Sequence, residues 1–122
     1  MTSLHWASFN PNYSLETIKF LVESQADINL KDKFGNTPLH FVCLNRNINQ
    51  SVITFMVDQK ADLKAREFLF GQSPFHFATK NKNISLEIAK YFISLGVSVH
   101  LKDKFGDTPI EYLQGFVFKN SY

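Results

Sequence analysis

Residues 37–40 read "TPLH", and the phrase recurs along the chain. Thr2-Ser3-Leu4-His5, Thr37-Pro38-Leu39-His40, Ser73-Pro74-Phe75-His76 and Thr108-Pro109-Ile110-Glu111 stand 35, 36 and 35 residues apart. A fixed period of this length marks a chain built from stacked copies of one supersecondary unit. The register holds away from the tetrad. Ser14, Asn49 and Ser85 each follow the histidine by 9 positions, and Phe20, Phe55 and Tyr91 keep the same period. "LKDKFG" stands at 30–35 and again at 101–106; the middle copy is altered, "REFLFG" at 66–71 standing one residue longer than "KDKFG" at 31–35.

Each unit has a readable local structure. Thr or Ser before the helix accepts a hydrogen bond from a free backbone N–H of the first turn. Proline suits the next position, where no N–H is needed. A short helix follows ("TPLHFVCLN", "SPFHFATKN"). An Asn-x-Asn turn comes next, at Asn10/Asn12, Asn45/Asn47 and Asn81/Asn83. Asn tolerates turn and left-handed geometry, so these residues are predicted to reverse the chain by their backbone conformation. Ser14, Asn49 or Ser85 then caps a second helix whose apolar residues recur at three and four: Ile18, Leu21, Val22; Ile53, Met56, Val57; Ala89, Phe92, Ile93. The unit closes on a β-type phrase that turns at Gly35, Gly71 or Gly106.

Composition bounds the rest. With 122 residues the chain is expected to form one domain. An apolar fraction of 44% and a charged fraction of 20% allow a core and a solvated surface. The net charge of +2 is too small to argue for nucleic acid by itself. Cys43 is the single cysteine, so no internal disulfide framework exists, and a free thiol fits a reducing compartment. No stretch has the roughly 18 apolar residues that span a membrane, and the start "MTSLHWASFN" has no signal-peptide pattern. No phosphate-binding glycine motif and no H-E-x-x-H is present, and the acids are scattered over the repeats. Neither a catalytic residue nor a cofactor is expected.

A helix–turn–helix unit with a β-turn and the pattern T-P-L-H-x-A resembles the ankyrin repeat. The motif stands here as Thr37-Pro38-Leu39-His40-Phe41-Val42 and Ser73-Pro74-Phe75-His76-Phe77-Ala78, and "QADIN" at 25–29 is similar to the family's G-A-D-V-N. The resemblance implies an all-α, ankyrin-type solenoid with short β-hairpin fingers. Its repeats fall at about 1–34, 35–70 and 71–105, with a partial one at 106–122. Gln25 and Lys60 stand where the family, and Gly96 in this chain, has glycine. If those positions are left-handed, each costs roughly 1 kcal/mol. At the ends Leu4, Leu113, Phe116, Val117 and Phe118 are expected to leave apolar surface. The chain therefore reads as a piece of a longer array, or one capable of weak end-to-end self-association.

The resemblance also assigns roles. His5, His40 and His76 become hydrogen-bonding struts with Thr37, Ser73, Thr108, Pro38, Pro74 and Pro109 as motif residues. A zinc site is not expected, because equivalent positions of stacked helices lie about 10 Å apart. Cys43 reads as a buried thiol. The function implied is non-catalytic recognition of another protein on the concave side, formed by fingers and first helices, as an intracellular, cytoplasmic or nuclear scaffold or adaptor. Candidate contacts are Phe34, Phe105, Lys33, Arg66 and Lys104, and above all Phe68, Leu69 and Phe70 of the lengthened finger. Trp6, Phe41, Phe77 and Tyr112 form an aromatic series that is either contact surface or core. The alternative is an acidic or nucleic-acid ligand on the basic, aromatic fingers, opposed by Asp32, Glu67 and Asp103. No membrane partner is expected.

Overall fold

Side-chain caps set where the helices begin. Thr2, Thr37 and Ser73 each accept from the N–H of the histidine three residues on, and the histidine ring returns a bond to the cap residue's own N–H. The helices that follow are α1 (Ser3–Phe9), α3 (Pro38–Leu44) and α5 (Pro74–Lys80). Ser14, Asn49 and Ser85 cap α2 (Leu15–Glu23), α4 (Gln50–Asp58) and α6 (Leu86–Ser94). A last helix, α7, runs Pro109–Lys119. The structure is a computed structural model that describes residues 1–119, with side chains described as far as Gln114.

Helices of seven and nine residues are too short to persist alone in water, so packing makes them. α1, α3, α5 and α7 lie side by side in one layer, each touching the next; α2, α4 and α6 pack behind α1, α3 and α5. Between the layers sit Leu4, Ile18, Leu39, Val42, Ile53, Met56, Phe75 and Phe92, all essentially without solvent contact. The result is an all-α helical repeat solenoid, and the described residues include no strand. The β-hairpin fingers expected from the sequence are tight turns instead. Each is closed by two backbone bonds, Asp32 N to Asn36 O with Gly35 N to Asp32 O, Glu67 N to Gln72 O with Gly71 N to Glu67 O, and Asp103 N to Asp107 O with Gly106 N to Asp103 O, at 2.9–3.1 Å.

Two other expectations are corrected, and one lies outside the described side chains. Leu4 is buried beneath α2 and α3 and leaves no apolar edge. Phe116, Val117 and Phe118 lie outside the residues whose side chains are described. The turn asparagines do not work through left-handed backbone: Asn10, Asn45 and Asn81 all have φ between −62° and −73°. Their side chains do the work. Asn45 Nδ2 donates to the carbonyls of Ser8 and Asn10, and Asn81 Nδ2 to those of Cys43 and Asn45, at 2.8–3.0 Å. Each turn is thereby stitched to the open carbonyls at the end of the preceding first helix. Besides the finger glycines, the left-handed residues among those described are Gln25 (φ 70°) and Lys60 (φ 71°), with Gly96 at the same place in the third unit (φ 83°). Gln25 N bonds Val22 O and Ala26 N bonds Leu21 O; Lys60 and Ala61 repeat this on Val57 and Met56. That is the paired-carbonyl Schellman ending of a helix.

Candidate functional site

The histidines fix the fingers to the helices. In His40 the backbone N–H of Thr37 donates to Nδ1 at 3.1 Å, so Nδ1 is the acceptor and Nε2 carries the proton. Nε2 then donates to the carbonyl of Gln72, in the following finger, at 2.9 Å. His5 does the same to Asn36 O (3.0 Å), and His76 reaches Leu101 O (2.8 Å). Burial is the main reason that His40 and His76 ionise less readily than a free imidazole, although the carbonyls they face favour the charged form. Both ring nitrogens are occupied, which leaves no base free for Cys43. That thiol is fully buried, and burial pushes its pKa far up, so it is no nucleophile. Among the described residues no group of His, Cys, Asp and Glu is placed to hold a metal ion.

Each finger is folded around one carboxylate. Asp32 Oδ1 accepts from the N–H of Phe34 and Asn36, both at 2.9 Å. Asp103 Oδ1 accepts from Phe105 (2.8 Å) and Asp107 (2.9 Å). The middle finger has one more residue to span, and there the acid is Glu67, one methylene longer. Its two oxygens take the N–H groups of Phe70 (2.7 Å) and Gln72. Asp103 also receives Gln72 Nε2 at 2.9 Å, linking the second finger to the third. Burial opposes ionisation of Asp103, but these donors outweigh it and hold its pKa below the ordinary carboxylate value. The sequence made these acids opponents of the basic finger surface; the structure turns Glu67 and Asp103 inward, buried among backbone donors. That pairing of acid length with loop length was visible in the sequence as Asp, Glu, Asp, and its meaning needed the hydrogen bonds.

What the fingers present outward is apolar and cationic. Phe34, Phe68, Leu69, Phe70 and Phe105 are all exposed, Phe105 the most at 68%. They form one ridge. The ring of Phe68 lies over Gly35, where a Cβ would meet it at 2.7 Å, and Phe68 N donates to Phe34 O at 2.7 Å. Phe70 and Phe105 rings are 5.8 Å apart, and Lys104 N donates to Phe70 O at 2.9 Å. Cations flank the ridge. Lys31 Nζ stands 5.5 Å from the Phe68 ring and Lys33 Nζ 5.1 Å from Phe34; Arg66 and Lys104 reach carbonyls of neighbouring fingers. Gly71 turns beneath Lys104.

The family model for ankyrin repeats (3 copies) matches residues 4–112. The chain belongs to the ankyrin-repeat family. No curated protein matches it. Ankyrin repeats generally serve as protein–protein interaction modules and are typically non-catalytic. No helix among the described residues is long and apolar enough to cross a membrane.

The aromatic series after the histidine is not one surface in this ankyrin stack. Phe41 is buried, 8% exposed, because His5 and Phe9 of the preceding repeat meet its ring edge-on at 5.8 and 5.7 Å. Phe41 therefore serves mainly the packing between repeats, and the little of it left open lines the recess beside Phe34 and Asn36. Phe77 is half-buried against His40, ring centroids 5.1 Å apart, and Tyr112 is half-buried with Lys80 Nζ 5.7 Å from its ring. Trp6 alone is exposed, at 60%. The series is therefore part of the contact between repeats, with partial openings at Phe77 and Tyr112.

Proposed function

We propose that this ankyrin domain is a cytoplasmic scaffold or adaptor module that captures a partner protein on its finger ridge and the adjoining face of its first helices. One observation carries the reading. Every finger ties its carboxylate to its own backbone N–H groups and exposes phenylalanine beside a lysine or arginine, so the exposed surface is apolar at its centre and cationic at its rim. Large aromatic groups supply most of the energy when they enter a partner's surface, and rim charges mainly speed encounter. Phe68, Leu69 and Phe70 of the lengthened finger are the leading contacts, with Phe34, Phe105, Lys33, Arg66 and Lys104 around them. The test is capture of a partner from the source cell by the folded domain. Phe68→Ala/Phe70→Ala abolishes capture of whatever the native domain retains; unchanged capture overturns the reading.

A second reading has its own support. With Glu67 and Asp103 engaged internally, Lys31, Lys33, Arg66, Lys102 and Lys104 stand on one ridge with little opposing charge. Such a ridge suits nucleic-acid phosphates, for which affinity falls steeply with salt. Binding to a DNA or RNA oligonucleotide that is flat between 50 and 200 mM salt removes this reading.

A further inference from the structure

Two cavities sit in the angle between the fingers and the first helices, and they are the same cavity one repeat apart. The first, about 400 Å³, has Phe34, Asn36 and Phe41 in its walls; the second, about 380 Å³, has Phe70, Gln72 and Phe77. These triads occupy equivalent repeat positions, two aromatic rings and one amide each. A lysine enters each lining, Lys33 beside Asp32 in the first and Lys80 in the second. Each wall also carries a buried amide oxygen with no hydrogen-bond partner, Asn36 Oδ1 and Gln72 Oε1. An unmade hydrogen bond at a buried acceptor is uncommon, and here it occurs twice in register.

Resting on the protein-binding reading above, we infer that the paired cavities receive an extended acidic segment of the partner in polyproline II conformation, with apolar side chains at positions i and i+3. The spacing selects the conformation. Packed helices of neighbouring repeats lie about 8–10 Å apart. A polyproline II helix advances about 3.1 Å per residue and returns to the same face every third residue, so i and i+3 are separated by about 9 Å. A β-strand returns every second residue, at about 7 or 13 Å, and misses the spacing. An α-helix reaches about 10.5 Å at i+7, but its N–H groups are already bonded within the helix. The polyproline II backbone makes no internal hydrogen bonds. Its free N–H groups suit the unpartnered Asn36 Oδ1 and Gln72 Oε1, which are buried until the amide turns, for Gln72 at the expense of its bond to Asp103. Charge selects the sequence around the anchors. Lys80 lines the second cavity with no acid beside it, and in the first Lys33 stands next to Asp32, whose carboxylate is engaged by the N–H groups of Phe34 and Asn36; with Glu67 and Asp103 facing inward, acidic residues between and beside the anchors are attracted.

The experiment is selection from a displayed library of random 12-residue peptides on the full chain, followed by fluorescence anisotropy with the enriched peptides. Enriched peptides share apolar residues three apart with acidic residues around them. Lys80→Glu and Leu44→Ser, both at exposed side chains in or beside the second cavity, each weaken their binding at least tenfold while the far-ultraviolet circular dichroism is unchanged. Lys80→Ala, a milder change, weakens it less than Lys80→Glu. The inference is overturned by enriched peptides with another spacing, by equal affinity for Lys80→Glu, by an unenriched library, or by binding to phosphatidylserine vesicles in place of peptides. Partner capture is read separately with Phe68→Ala alone, since Phe68 lines neither cavity.

Discussion

His40 Nε2 donates to the carbonyl of Gln72, the same oxygen that closes the second finger by accepting from Glu67 N. One buried imidazole thus joins the cap of its own helix to the next repeat's finger. Its removal leaves Thr37 N and Gln72 O short of a partner inside the stack, and opens a cavity. His40→Ala should cost about 3 kcal/mol or more in urea unfolding. A loss under 1 kcal/mol would mean that the strut is dispensable.

Acid should loosen the stack through the same residues. His40 and His76 hold folded pKa values below the ordinary 6.5, mainly through burial. The unfolded chain therefore binds more protons, and stability is full above about pH 6.5 and falls as pH drops from there toward the folded values. Asp103, whose folded pKa is also lowered, adds a loss only below about pH 4. The urea midpoint should decline between pH 7.5 and 5, and less steeply in His76→Gln. An identical slope in the variant would exclude the imidazoles as the cause.

Gln25 and Lys60 hold left-handed backbone that glycine adopts freely. Gln25→Gly and Lys60→Gly should each raise stability by about 0.5–1 kcal/mol and lift the melting temperature. Unchanged or lower melting temperatures in both would contradict the helix-ending geometry.

Asn81 separates two explanations of its turn. Aspartate is as good a turn former as asparagine. Asn81→Asp replaces the amide that donates to Cys43 O and Asn45 O with an acceptor facing two carbonyls. A loss of about 2 kcal/mol or more is expected in chemical denaturation; a neutral result would return the role to backbone conformation.

Much of this was legible from spacing. The period of 35 and 36 located the helices, and the Thr–His distance of three located the caps, because capping is local and repeats itself. Properties that depend on a neighbouring repeat were not legible. Phe41 and Trp6 occupy equivalent positions with opposite exposure, because Phe9 and His5 cover only the former. The fate of Glu67 was hidden in the same way: a carboxylate in a basic loop reads as surface charge until its bonds to Phe70 and Gln72 are seen. The fingers read as hairpins since their residues favour extended backbone, yet five or six residues closed around an acid leave no length for a ladder.

Two apolar surfaces compete as the binding face, and one measurement chooses between them. The fingers expose Phe68 and Phe70, while the rear layer exposes Phe20 on α2 and Ile93 on α6. All four are exposed, so alanine there should change stability by well under 1 kcal/mol. The affinity of the captured partner should be measured for Phe68→Ala/Phe70→Ala and for Phe20→Ala/Ile93→Ala. The finger pair should lose at least thirtyfold and the rear pair less than threefold. A large loss in the rear pair with native affinity in the finger pair would contradict the account.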